Sequence, residues 1–344
     1  MKRFRSKAVR CFTTLLFISG AIEIARADLL VSSDRTATVL RYDQATGAFL
    51  GAFVDSGSGG LTMAGGQAIG PDGNLYVSSN GTNQVLRYSG STGGFLGVFA
   101  SGGGLEKPSA ITFGPDGNLY VNSHGPQGPN PASSVLRYNG MTGAFTDAFV
   151  PPGSGGLSGA SVGLDFGPDG NLYVESNSTN SILRFNGTTG QFIDAFVATG
   201  SGGLSLPSGF IFGPDGNLYV ASHGSQPVLR YNGTTGAFID VFVPAGSGAI
   251  RNPTDLIFGP DGNLYVASRS NSRVLEFNGA TGNFITTFVP QGTGGLSAPN
   301  ELLFFTPSAS GVPEPSTILL VTLGIGIFGY GVRRAISGRV SQSV

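Results

Sequence analysis

The sequence predicts an all-β fold, a six-bladed β-propeller of four-stranded blades closed by a C-terminal inner strand that pairs into the N-terminal blade. Three observations predict it. The run Gly-Pro-Asp-Gly-Asn-Leu-Tyr-Val starts at Gly70, Gly114, Gly167, Gly213 and Gly259, and Leu29-Leu30-Val31 fills the same place without the turn. The aligned leucines at 29, 75, 119, 172, 218 and 264 lie 46, 44, 53, 46 and 46 residues apart, a period of strand-bearing units that marks propeller blades. Each unit contains four strand-like segments, except that the first lacks its inner one. Residues 300–304 supply an inner strand with nothing after it, so the end of the chain completes the first blade and removes open sheet edges.

Within a unit the elements follow in a fixed order. A short apolar run before each Gly-Pro-Asp-Gly, at 110–113, 163–166, 209–212 and 255–258, suits a buried inner strand next to the axis. Pro-Asp-Gly-Asn is a tight turn, because proline presets φ, aspartate bonds its own backbone and glycine takes the positive φ. The Leu-Tyr-Val strand follows, then a segment such as Val85-Leu86-Arg87-Tyr88, a turn with Thr92-Gly93, and an outer strand at 95–99. Glycine-rich loops such as 57–61, 153–157, 200–204 and 292–296 connect the blades. No lysine or helix start follows them, so they are turns rather than phosphate cradles.

Composition excludes several classes of function. Charged residues make up 11% of the 344 and the net charge is −1, which removes the basic stripe of a nucleic-acid binder. With 40% hydrophobic residues and 25 phenylalanines the chain has enough apolar surface for a core, so its 57 glycines are turn residues rather than a sign of disorder. The single cysteine, Cys11, falls in the N-terminal export segment, leaving the mature protein without a disulfide or a thiol nucleophile.

Both ends carry addresses. Lys2, Arg3, Arg5, Lys7 and Arg10 precede an apolar run at 12–22 and a small-x-small site at Ala25-Arg26-Ala27, the pattern of a signal peptide over 1–27, with the mature chain beginning at Asp28. The propeller then spans 28–306. A linker at 307–316 contains Val312-Pro313-Glu314-Pro315, an almost uncharged run at 317–332 forms a transmembrane helix, and a basic tail at 333–344 opens with Arg333 and Arg334. Those arginines hold the C-terminus in the cytoplasm and leave the propeller outside.

The layout of Pro-Glu-Pro, apolar helix and basic end resembles the PEP-CTERM sorting signal. That resemblance implies export machinery and an exosortase as partners, recognition at Val312-Pro313-Glu314-Pro315, and a transient inner-membrane anchor before a cell-surface or extracellular destination, often alongside exopolysaccharide. The blades resemble NHL-type six-bladed propellers and the related gluconolactonase and streptogramin lyase families.

Chemistry is sought at the face where the loops after the second and fourth strands open. One slot, five residues before the Val or Ile of the third strand, holds Asp34, Asn80, Asn177, His223 and Arg269, and its equivalent in the longer third unit is His124. Glu175 lies two residues before Asn177. His124, Glu175 and His223 resemble the His and Glu arrangement of streptogramin-type lyases. A second slot reads Gly66, Ala110, Gly163, Gly209, Asp255 and Glu301. With Asp34 nearby, Asp255 and Glu301 offer oxygen ligands for a divalent cation such as Ca or Mg, and they resemble part of the gluconolactonase metal set. The proline-rich insertion at 125–132 is expected to cap the channel or contact a partner. Two functions follow. The leading one is a noncatalytic binding or scaffold module for a glycan or matrix ligand; the alternative is a metal-assisted lactonase or lyase at the channel mouth.

Overall fold

The computed structural model describes residues 27–125 and 132–306, which form six four-stranded antiparallel sheets. The expected signal peptide up to residue 26, the insertion at 126–131, the linker at 307–316, the transmembrane segment at 317–332 and the basic tail at 333–344 lie outside the described residues. Blade 1 takes its inner strand, Pro299–Phe305, from the far end of the propeller and its other strands, Asp28–Ser33, Thr38–Asp43 and Phe49–Val54, from the beginning. Across this seam Leu29 faces Phe304, Leu30 faces Leu303 and Val31 faces Leu302. The predicted closure is therefore the observed one.

Blade 2 shows the common plan, with strands Ala64–Ile69, Leu75–Ser79, Gln84–Tyr88 and Phe95–Ser101 from the axis outward. The inner strands of blades 3 to 6 are Ile111–Phe113, Leu164–Phe166, Pro207–Phe212 and Pro253–Phe258. Each inner strand touches the next, and the last touches the first, so they surround the axis. Those of blades 3 and 4 are the shortest.

The repeated motif works as a unit. The Asp72 carboxylate accepts the Asn74 backbone N–H at 3.1 Å, the Asn74 side chain at 2.7 Å and the Tyr76 hydroxyl at 3.0 Å. Asn74 Oδ1 in turn accepts the Gly90 N–H at 3.1 Å, tying this turn to the one that enters the outer strand. With both its oxygens engaged by protein groups, Asp72 belongs to a turn and not to a calcium loop. Burial pushes the Asp72 carboxyl up, but the bonds from Asn74 and Tyr76 and the charge of Arg87 outweigh it and hold its pKa below the usual value. The Tyr76 ring is gripped edge-on between Phe99 of its own outer strand, 4.7 Å away, and Phe113 of the next inner strand, 4.9 Å away. Tyr120, Tyr173, Tyr219 and Tyr265 repeat the arrangement.

The core consequently lies between blades rather than within them. One apolar cluster joins Tyr219, Val228 and Phe242 of blade 5 to Leu256, Leu264 and Phe277 of blade 6. Another joins Leu30, Val39 and Phe53 of blade 1 to Leu75, Leu86 and Tyr88 of blade 2. The recurrent Thr-Gly turn is fixed by the same packing. Gly93 has φ +70, and a Cβ there would overlap the carbonyl of Phe53 in the preceding blade, as it would at the equivalent Gly236 against Phe196.

Because the seam completes the ring, a mature chain ending at Ala298 is expected to lose its cooperative unfolding transition and to aggregate, whereas one ending at Thr306 keeps a single transition. Denaturant unfolding followed by circular dichroism, with light scattering, measures this. Equal midpoints for the two chains would contradict the structural role given to residues 299–305.

Candidate functional site

The second strand of every blade ends in a buried serine whose hydroxyl accepts an N–H from the loop entering that blade's inner strand. Ser79 takes it from Thr62 at 3.1 Å, Ser123 from Glu106 at 3.0 Å, Ser176 from Ser158 at 3.1 Å and Ser222 from Ser205 at 3.0 Å. Ser268 takes it from Arg251 at 2.9 Å and Ser33 from Ser297 at 3.0 Å. The position after each serine is thereby held at the channel mouth. Asp34, Asn80, His124, Asn177, His223 and Arg269 all line one cavity of about 310 Å³. A tighter set from the starts of the inner strands, Gly65, Ser109, Val162, Ser208, Thr254 and Asn300, lines it as well. Each blade thus contributes to both sets.

The sequence reading found the first set by aligning repeats and missed the second. Its signal was present one residue before the Gly66 slot, where Ser109, Ser208, Thr254 and Asn300 put hydroxyl or amide side chains in four of the six blades.

Charge is largely cancelled within the mouth. Arg269 donates to the Asp34 carboxylate and, at 3.4 Å, to Asn300 Oδ1. The amide nitrogens of Asn80 and Asn177 donate to the carbonyls of Pro108 and Pro207 in the following blades, at 3.5 and 3.1 Å. Asn252 Nδ2 lies 3.2 Å from His223 Nε2. Burial lowers the His223 pKa, the Arg269 charge lowers it further, and a hydrogen bond with the Pro253 backbone opposes both. Burial, followed by the charge of Lys107, lowers that of His124. Both imidazoles are therefore mainly neutral at pH 7.

Beneath the mouth, carboxyl groups join neighbouring inner strands. Asp255 Oδ2 accepts the Leu302 N–H at 2.8 Å, and Glu301 Oε2 accepts the Gln67 N–H at 3.1 Å. Burial raises the Asp255 pKa to about 7. Burial, then the charges of Asp255 and Asp165, raises that of Glu301. Asp165, which the sequence reading did not single out, accepts its own neighbour's N–H from Phe166 at 2.8 Å and the Thr112 hydroxyl at 3.3 Å. It is the sole acid among the equivalent inner-strand positions 68, 112, 165, 211, 257 and 303.

The expected site residues are thus partly assembled. His124, His223 and Asp34 share the mouth cavity, and Asp255 and Glu301 are electrostatic neighbours below it. Glu175 does not line the cavity. It is wholly buried, with its carboxyl group among the backbone N–H groups of Ser161, Val162, Gly163 and Asn177, and burial raises its pKa well above the usual value. Asp34 is engaged by Arg269 instead of joining Asp255 and Glu301, and among the described residues no group of three or more His, Cys, Asp or Glu is placed to hold a metal. Ca and Mg take six or more oxygens. The arrangement of Asp255 and Glu301, each bonded to a backbone N–H, does not fit such an ion.

Six four-stranded blades about a polar mouth define this chain as a β-propeller protein. Residues 311–335, which include Val312, Pro313, Glu314, Pro315, Arg333 and Arg334, match the PEP-CTERM protein-sorting motif. The propeller is therefore exported and transiently anchored at the membrane before exosortase processing. Among solved structures the chain is similar to a protein of unknown function from Bacteroides caccae, at 15% identity and a TM-score of 0.60, covering 80% of this chain and 98% of that one. It is similar to a chain of a nidogen/laminin complex at 16% identity and a TM-score of 0.63, covering 80% and 97%. It also matches a virginiamycin B lyase from Staphylococcus aureus at 16% identity and a TM-score of 0.51, covering 71% and 77%. These likenesses show the fold alone. No curated protein matches the chain by sequence.

The raised carboxyl groups predict a pH dependence. A folded-state pKa of about 7 at Asp255 means that its contribution to stability is complete below about pH 4 and is lost as the pH rises through about 7. The denaturation midpoint is expected to fall across that window, and Asp255→Asn should flatten the fall. The turn aspartates, whose pKa values are lowered, titrate below this window. The two histidines, whose pKa values are lowered, oppose this fall in the same window, so the assignment is read from the difference between wild type and Asp255→Asn, and equal pH slopes of the two midpoints between pH 4 and 7 would refute it.

Proposed function

We propose that the mature propeller is a noncatalytic binding module at the cell surface and that its mouth holds a neutral, hydroxyl-rich ligand such as a glycan chain. One observation carries this reading. Six blades share the capping serine, and five of them the same turn and tyrosine packing, yet the mouth position after the serine carries four different residue types, Asp, Asn, His and Arg. Variation confined to one face of a repeated frame is the pattern expected where a single asymmetric ligand is read by several blades.

The ligand class follows from the mouth's chemistry. Asp34 and Arg269 cancel each other, and the two histidines are mainly neutral. The amide nitrogens of Asn80 and Asn177 are occupied by proline carbonyls, which leaves their amide oxygens as acceptors. Sugar hydroxyls supply matching donors, and an uncharged ligand avoids disturbing the ion pair.

The competing reading is a lyase or lactonase that uses His124 and His223, which line the same cavity. Glu175 counts against it, because its carboxyl group is held among backbone N–H groups outside that cavity.

Calorimetric titration of the mature propeller with neutral exopolysaccharide fragments is expected to show binding that weakens about tenfold in Asn177→Ala and in His223→Ala, the loss for one hydrogen-bonding partner. Parallel incubation with lactones and glycans should give no product. Turnover abolished by His223→Ala would establish the enzyme instead, and the absence of both binding and turnover across the panel would remove the glycan assignment.

A further inference from the structure

We infer that, while the sorting tail is attached, the propeller stands with its mouth turned away from the bilayer and its opposite face toward it. The direction of two strands carries the inference. Asn300 lines the mouth cavity, and the inner strand Pro299–Phe305 runs from there to the other face, where Phe305 pairs with Asp28. The second strand of the same blade returns from Asp28 toward Asp34 at the mouth. Both ends of the propeller therefore leave from the face opposite the cavity. The tail's exit lies on the innermost strand, close to the axis.

The tether is too short to turn the ring over. Ten residues, 307–316, separate Thr306 from the apolar run, and ten residues reach at most about 36 Å when fully extended. The shortest route from Thr306 around blade 1 to the mouth crosses three strand spacings, about 15 Å, and follows a strand of about 20 Å. Side chains and the mouth loops add to that 35 Å. A mouth-down propeller would need more chain than the linker contains.

On the face turned to the membrane four of the five turn aspartates are paired with arginines, Asp72 with Arg87 at 3.7 Å, Asp116 with Arg137 at 3.9 Å, Asp169 with Arg184 at 3.5 Å and Asp215 with Arg230 at 3.9 Å, and the fifth, Asp261, lies beside the acidic Glu276. Tether length, rather than attraction to anionic lipid, sets the orientation. The mouth is consequently open to the exterior before the tail is removed, whatever it binds.

The test uses the signal-cleaved, tail-bearing protein in phosphatidylethanolamine–phosphatidylglycerol vesicles that carry a headgroup quencher. The only cysteine, Cys11, precedes the mature chain, so a fluorophore can be placed at Ser178→Cys beside the mouth or at Thr188→Cys on the opposite face, both exposed. Quenching is expected to be at least twofold greater at position 188. A Gly-Ser insertion of about twenty residues after Thr306 should abolish the difference, because it more than doubles the reach. Equal quenching at the two positions, or stronger quenching at 178, would overturn the orientation. A difference that survives the insertion would overturn the tether as its cause.

Discussion

The pairing of residues 299–305 with Asp28–Ser33 is the constraint on which the rest of the molecule depends. A single blade cannot bury its two faces. Each blade does so only against its neighbours, and the apolar clusters accordingly lie at the junctions. In a linear array of such blades two faces would always remain exposed. Closure covers both with one strand, and it does so by hydrogen bonding the two ends of the chain together. The outer strands remain as sheet edges, and in each blade a double register shift against the third strand bends that edge, which discourages edge-to-edge pairing.

Closure also creates the mouth. Asp34 and Arg269 stand 235 positions apart in the chain and become partners only because blade 6 meets blade 1. The same junction lets Asp255 reach Leu302. Six equivalent serines then hold six loops at equal depth, so that the residue following each serine can change without disturbing the strand beneath it. The serine that holds the loop and the residue that lines the mouth are thereby adjacent positions in sequence, one constant and one variable.

Much of this was legible in the sequence because the period is so regular. The turn chemistry of Pro-Asp-Gly-Asn, the missing first inner strand and the shared slot of the two histidines all follow from aligning the units. What alignment could not convey was the direction of each side chain. Glu175 stands two residues before a mouth position, where strand alternation suggests the same face, yet its carboxyl group caps the backbone where the inner strand of blade 4 is shortened to Leu164–Phe166. Asp165 was invisible for a different reason. It sits inside an apolar strand pattern, and only the arrangement of inner strands brings its charge within reach of Glu301.

The buried acids bear most directly on whether this mouth binds or catalyses. A carboxylate near an axis invites a catalytic or metal-binding interpretation, and strongly raised pKa values are common at active sites. Here the raised values arise chiefly from burial, while one oxygen of each carboxyl group receives a backbone N–H, from Ser161 at Glu175, Leu302 at Asp255 and Gln67 at Glu301. An unpaired buried N–H costs about as much as a lost hydrogen bond, so the N–H groups that these acids accept give them a structural reason to be there. The perturbation and the hydrogen bonds have a common origin in the packing of six inner strands around one axis. Catalysis is not needed to account for these acids.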